Sequence, residues 1–286
     1  MIRFPPRLSS FLAVTLTAAS GLFGFGEAYS GETSGRVELA PREWGSYRAR
    51  IPDREELRWS AEWVLERIEE GPPAVYFVRD ELRGEFGRRD TPQIRVTEAR
   101  FLLEDGRIRM FKSLLTVRDP GGEVIRTLEK DFDYRDRVVR TVDRDPRRGR
   151  ERSREFRMGE ELVDTKEIVS YLRGFPFPDP ESAEAAAGRR IEFRLLNESP
   201  STYSVRAEYR GIEEVETPAG TFSCHKLRLV PDLGILTFAG RWVAPDLYMW
   251  FTVEPPHFWV KYHGLEGDLR TPSVVSELVE FHTSGR

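Results

Sequence analysis

The chain has 286 residues, 39% hydrophobic and 12% aromatic, which excludes a disordered chain and suits one large β domain or two small ones. Acidic and basic residues almost cancel, at a net charge of −4 with 32% of positions charged; this dense, mixed charge speaks against a nucleic-acid partner. One cysteine, Cys224, excludes an internal disulfide framework.

Residues 1–30 read as a secretory signal. Arg3 and Arg7 supply a positive start, and residues 8–26 carry no charge. Ala28-Tyr29-Ser30 then sets small residues three and one before a cut at Gly31. The alternative is an uncleaved anchor helix, since residues 8–26 approach the length of a short membrane span. The expectation is an exported protein, placed in the periplasm; an envelope protein anchored by its N-terminus is the second choice.

Residues 31–52 read as a loosely structured N-terminal arm, and 53–286 as a single antiparallel β domain. Within 57–68, Leu57, Ala61, Val64, Leu65 and Ile68 fit a helix, while Leu57, Trp59, Ala61 and Trp63 fit a strand. Two tryptophans on a two-residue period favour the strand, paired with 74–78 across Gly71-Pro72-Pro73. Turn signals then recur at short spacing, among them Glu104-Asp105-Gly106 and Asp119-Pro120-Gly121-Gly122. Between them, Thr97, Ala99, Phe101 and Leu103 share one strand phase, as do Val124, Leu128, Phe132 and Tyr134. Alternation with polar partners is the pattern of antiparallel strands with one wet face. The basic run 147–154 follows Asp145-Pro146 and reads as an exposed hairpin tip.

Asp164-Thr165-Lys166-Glu167 has the form of a capping box, followed by Ile168, Tyr171 and Leu172 on one face and Gly174 as a stop. This predicts a short helix over 165–173, with a further helical turn near 180–187. Tyr203, Val205, Ala207 and Tyr209 alternate again, and Thr217-Pro218-Ala219-Gly220 reads as a tight turn between two strands. Cys224 and His225 then fall on opposite faces of one strand, so they cannot chelate together.

Residues 242–262 hold Trp242, Tyr248, Trp250, Phe251, Phe258, Trp259 and Tyr262. They read either as a core of large side chains or as a groove for an apolar or amphipathic ligand. On the second reading the ligand-binding set is Tyr248, Trp250, Phe258, Trp259 and Tyr262.

The motif order from Val163 onward carries a resemblance. The stretch 164–173, then Phe175-Pro176-Phe177, then 209–226 with its Glu-x-Val-x-Thr-Pro-Ala-Gly-Thr-Phe core, and the aromatic strand 247–252 resemble DUF3108, a bacterial envelope family of unknown activity. The resemblance is strongest over 160–282 and weaker from about 55. It implies a curved antiparallel sheet, a half-barrel with a helix on its concave side, shaped like the periplasmic carriers of lipoproteins. It implies no reaction.

No nucleophile elbow or glycine-rich phosphate loop is present, no histidine or cysteine spacing suits a metal, and no cofactor is called for. Three functions remain open. The first is a carrier of a lipid or other amphiphile. The second is an assembly protein that meets another envelope protein through its surface. The third is a cofactor-free enzyme built on carboxylates, histidine or Cys224.

Overall fold

The computed structural model describes residues 36–54, 56–159, 161–232, 246–267 and 271–284. All of them lie in the unit Thr33–Arg286. The expected signal over 1–30, and Trp242 of the aromatic zone, lie outside the described residues.

Among the described residues, fifteen strands form one sheet, and the turn chemistry explains its hairpins. The strands of the first half are β1 (Arg42–Arg50), β2 (Leu57–Glu69), β3 (Ala74–Phe86), β4 (Thr91–Glu104), β5 (Arg107–Arg118), β6 (Val124–Asp133), β7 (Val138–Asp145) and β8 (Arg150–Arg157). Next come β9 (Leu162–Asp164) and a short helix, α1 (Ile168–Leu172). The second half holds β10 (Arg190–Leu196), β11 (Thr202–Thr217), β12 (Gly220–Asp232), β13 (Leu247–Thr252), β14 (Trp259–Leu265) and β15 (Ser273–Ser284). Asp105 and Gly106 both have positive φ, 53° and 76°, the pair that a two-residue hairpin between twisted strands demands. Thr217 and Gly220 pair across the turn predicted between β11 and β12. The β2–β3 hairpin crosses Gly-Pro-Pro as expected, with Leu65 facing Val78.

The sheet order is β8-β7-β6-β5-β4-β3-β2-β1-β15-β14-β13-β12-β11-β10-β9. The chain therefore starts mid-sheet, walks to one edge, restarts at the other edge and walks back. Every pairing is antiparallel except β9 with β10. The two edges are joined within 158–161, so the sheet must curl until they meet. Side chains bridge the seam. Arg126 Nη2 donates to the Glu198 carbonyl at 2.6 Å and Arg154 Nη1 to the Pro200 carbonyl at 2.7 Å. Leu196 of β10 packs with Phe132, Val139 and Met158. Among the described residues no ladder closes the edges, and the result is the half-barrel that the family resemblance implies.

Two expectations need correction. Residues 42–50 are no arm; they are β1, a central strand between β2 and β15. Its buried face is Glu43, Gly45, Tyr47 and Ala49, which no hydrophobic periodicity signals. The helix is shorter than 165–173 because the capping box does not form. Asp164 Oδ1 accepts from the Lys166 amide at 2.9 Å, while Glu167 makes no capping bond. The Asp164 carboxylate is drawn instead to Lys130 of β6, at 2.8 Å.

The concave face carries the core. Segment 163–177 lies against β10 to β13, where Leu172 and Phe175 pack with Phe193, Tyr209, Leu227 and Phe251. A second cluster joins Tyr76, Phe101, Met110 and Phe132 of the first half.

Candidate functional site: a cavity on the concave face

Period-two alternation puts Trp59, Ala61, Trp63 and Leu65 on one face of β2. The ladder then aligns their neighbours. Tyr47 of β1 and Leu82 of β3 face Ala61; Asp80, then Thr97 of β4, follow from Trp63; Val78, then Ala99, follow from Leu65. Trp59 needs a glycine opposite: a Cβ on Gly84 would lie 2.5 Å from the Trp59 Cα. Alanines at 61 and 99, set among large rings, leave a hollow that the aromatic side chains do not fill.

Segment 165–173 lies over this hollow. The resulting cavity of about 230 Å³ is lined on one side by β1 to β4 and on the other by Thr165, Lys166, Val169, Ser170 and Arg173. Phe258, Trp259 and Phe281 complete the wall. A water needs only about 10–15 Å³ of such space, so the hollow is far larger than a packing defect.

Two ionic anchors hold the overlying segment. Arg173 forms a bidentate pair with Glu43, at 2.7 and 3.0 Å, with both side chains buried. Two further donors reach the carbonyls of Pro256 at 2.9 Å and Glu38 at 3.1 Å. This guanidinium is therefore satisfied, as burial requires. At the other end Asp164 takes Lys130 at 2.8 Å and the Ser113 hydroxyl at 3.3 Å. Lys166 reaches Glu198 at 2.9 Å, with Arg95 on the far side at 3.5 Å. Burial works to raise the Glu198 pKa, but Lys166 and Arg95 outweigh it and bring it down to about 2. Burial pushes the Asp80 carboxyl up, and nearby Lys166 offsets only part of that rise. Burial, reinforced by Asp164, pushes Glu167 well above the usual carboxylate range.

Two lining indoles lack partners. The indole Nε1 atoms of Trp59 and Trp63 are buried, and no protein atom accepts from them. An indole can only donate, so each leaves a buried N–H unmatched.

The five aromatic residues singled out from the sequence divide. Phe258 and Trp259 line the cavity. Trp259 stands against Tyr47, with ring centroids 4.3 Å apart, and accepts the Tyr47 hydroxyl at its carbonyl at 2.7 Å. Tyr248 and Trp250 face the other way: Met249 and Phe251 point into the core, so their neighbours in β13 point out. Trp250 packs with Val215, Cys224 and Val260, and its indole donates to Glu213 at 2.5 Å. Tyr262 packs at the margin of the second-half core, and its hydroxyl donates to the Leu265 carbonyl at 2.7 Å. A register shift between Trp250 and Phe251 separates the phases of β13 and β14. The residues that sequence reasoning did not assign to a site, Tyr47, Trp59, Ala61 and Trp63, carry one signal: two tryptophans flanking an alanine at strand spacing.

The histidines form no shared metal site; among the described residues no three metal-ligating side chains converge. His225 is buried beside Tyr209, with the hydroxyl 3.1 Å from Nδ1, and stacked on Phe177. Burial lowers its pKa to about 4, helped by His257.

Comparison with known proteins supports the architecture. A crystal structure of a β-barrel-like protein of domain of unknown function DUF1849, from Brucella abortus, superposes over 87% of this chain and 100% of its own, with TM-score 0.51 and 12% identity. That likeness shows a shared fold. A provisionally assigned exported protein with a YmcC-like fold from Bacteroides fragilis NCTC 9343 gives TM-score 0.34 at 11% identity, covering 88% of this chain and 100% of its own. A provisionally assigned lipoprotein from Parabacteroides distasonis ATCC 8503 gives 0.33 at 10%, with the same coverages of 88% and 100%. No curated protein matches this sequence. The family model described as protein of unknown function (DUF3108) matches residues 121–263, half of the chain. That stretch holds the segment over the cavity and two of its wall aromatics, so the chain belongs to the DUF3108 family.

Proposed function

We propose that the protein is an exported carrier or binding module that takes an apolar or amphipathic ligand into the cavity on the concave face. The observation that carries this reading is the cavity itself. It measures about 230 Å³ and is walled mainly by aromatic and aliphatic side chains with a few polar groups. Binding sites have this composition: apolar area for contact and sparse polar groups for orientation. The charge-free stretch 8–26 after Arg3 and Arg7, with Ala28-Tyr29-Ser30 shortly beyond it, supports export into the periplasm.

The test is twofold. Organic extracts of the purified protein are analysed by mass spectrometry, and binding of a fluorescent fatty acid is titrated. Ala61→Leu projects into the hollow and should weaken binding at least tenfold while the fold persists. Unchanged binding in that variant, or no binding by the wild type, removes the cavity as a site.

A further inference from the structure

We infer that the cavity selects an uncharged amphiphile bearing hydrogen-bond acceptor oxygens, such as an acyl ester, and that the indole N–H groups of Trp59 and Trp63 receive those oxygens. This assignment rests on the carrier reading above and adds the chemical class of the ligand.

The argument begins with charge. The ionisable groups that line the cavity and carry opposite signs are Glu43 with Arg173 and Asp80 with Lys166. Glu43 and Arg173 are spent on each other in a bidentate pair. Lys166 is held by Glu198 at 2.9 Å. Among the described lining residues, no unmatched cation waits for a carboxylate or phosphate. A ligand with a net charge would enter a low-dielectric space with no counter-ion, which is strongly unfavourable.

Hydrogen bonding then separates a plain hydrocarbon from an oxygen-bearing one. Trp59 and Trp63 stand four residues apart on one face of β2, with Ala61 between them. Trp59 is 9% exposed, and the indole N–H groups of both tryptophans are buried without an acceptor. Of the cavity's tryptophans, Trp259 differs: its indole donates to the Lys261 carbonyl at 3.0 Å. Trp250, outside the cavity, is also satisfied, through Glu213. Among the described tryptophans, the buried unmatched indoles both belong to residues that line the cavity, and a ligand oxygen that reaches them would supply the missing acceptor. Buried donors are normally paired, and leaving one unpaired is costly. A ligand that supplies acceptors recovers that loss, whereas an alkane does not.

The experiment uses the purified exported protein and displacement of the neutral probe N-phenyl-1-naphthylamine by monoolein, oleate, oleylamine and hexadecane. Monoolein should displace the probe at concentrations at least tenfold below the other three. Trp59→Phe and Trp63→Phe, singly and together, keep the ring and remove the N–H. Each should weaken monoolein about threefold to tenfold, the usual worth of one hydrogen bond, and leave hexadecane unchanged. Hexadecane binding shows that a variant is folded, and the two single variants guard against one failing to fold. If all four compounds bind alike, if a charged one binds best, or if the Phe variants leave monoolein unchanged, the assignment falls while a general apolar carrier stands. If neither the probe nor any of the four binds the wild type, the carrier reading falls and takes this assignment with it.

Discussion

At the scale of single residues, burial decides the chemistry. Cys224 is fully buried among Val215, Trp250 and Val260, and burial pushes its thiol up to about 12. Native thiol titration should be slow and become fast in denaturant; rapid native labelling would contradict this packing. Cys224→Ala should cost about 1 kcal/mol through a small lost volume. Glu167 has the opposite significance. Its Oε2 is buried without a partner, and burial beside Asp164 raises its pKa well above the usual carboxylate range. A carboxyl whose folded pKa is raised gives stability below its unfolded value and loses it as pH climbs toward the folded value. Glu167→Gln, which fixes the neutral form, should therefore make denaturation midpoints less sensitive to pH between 5 and 8, with its relative gain greatest at pH 8. His225 works the other way. Its pKa is lowered to about 4, so the unfolded chain binds the proton first and stability falls as pH drops from about 6.5 toward 4. His225→Phe should flatten that acid limb of a urea-midpoint profile, at the expense of the Tyr209 hydroxyl contact.

At the scale of elements, the decisive unit is the segment from β9 through α1. A five-residue helix has no stability of its own, because helix nucleation is unfavourable and short helices need tertiary support. Its support is the pair of ionic anchors at 164 and 173 and the packing of Leu172 and Phe175. Arg173→Ala would strand the Glu43 carboxylate, which is fully buried. Breaking one partner of a buried pair costs about 3–5 kcal/mol, so the melting temperature should drop sharply. Replacing both at once, as Arg173→Met with Glu43→Leu, should recover much of that loss, since no charge is left unmatched. Equal losses in the single and double variants would show that the anchor matters for shape and not for charge. The sequence motif over 164–167 signals this segment, but its local reading as a helix cap misses the destination of Asp164, which is Lys130, 34 residues back in another strand.

At the scale of the whole molecule, the order of strands sets which parts open first. The termini of the domain pair in mid-sheet, β1 with β15, over a register from Arg42 facing Ser284 to Arg50 facing Val275. β8 is an edge strand whose residues are almost all exposed on both faces. Its arginines and glutamates suit a solvated edge that resists pairing with other chains. Amides of β8 should exchange with solvent fast, and those of β1, β2 and β15 should be among the slowest. Uniform protection across β8 and β1 would refute that gradient.

Fold class and most hairpins follow from the sequence because they are local: alternation, turn residues and spacing act within a few positions. Gly71-Pro72-Pro73, Asp105-Gly106 and Thr217 to Gly220 each mark a turn where the structure has one. Two tryptophans at strand spacing likewise settle β2. What only the tertiary structure decided is long-range. β1 is invisible in the sequence because its buried face includes Glu43 and Gly45, acceptable only when Arg173 and β15 arrive from far along the chain. The cavity is invisible for the same reason. Trp59 and Ala61 come from β2, Phe258 and Trp259 from the approach to β14 and its first residue, and Ser170 from α1, and only the curl of the sheet brings them to one wall. Composition located aromatic side chains at 242–262, but facing is a matter of register. Tyr248 and Trp250 fall on the face of β13 opposite Met249 and Phe251, while the shift between β13 and β14 sets Trp259 across from core-facing Phe251.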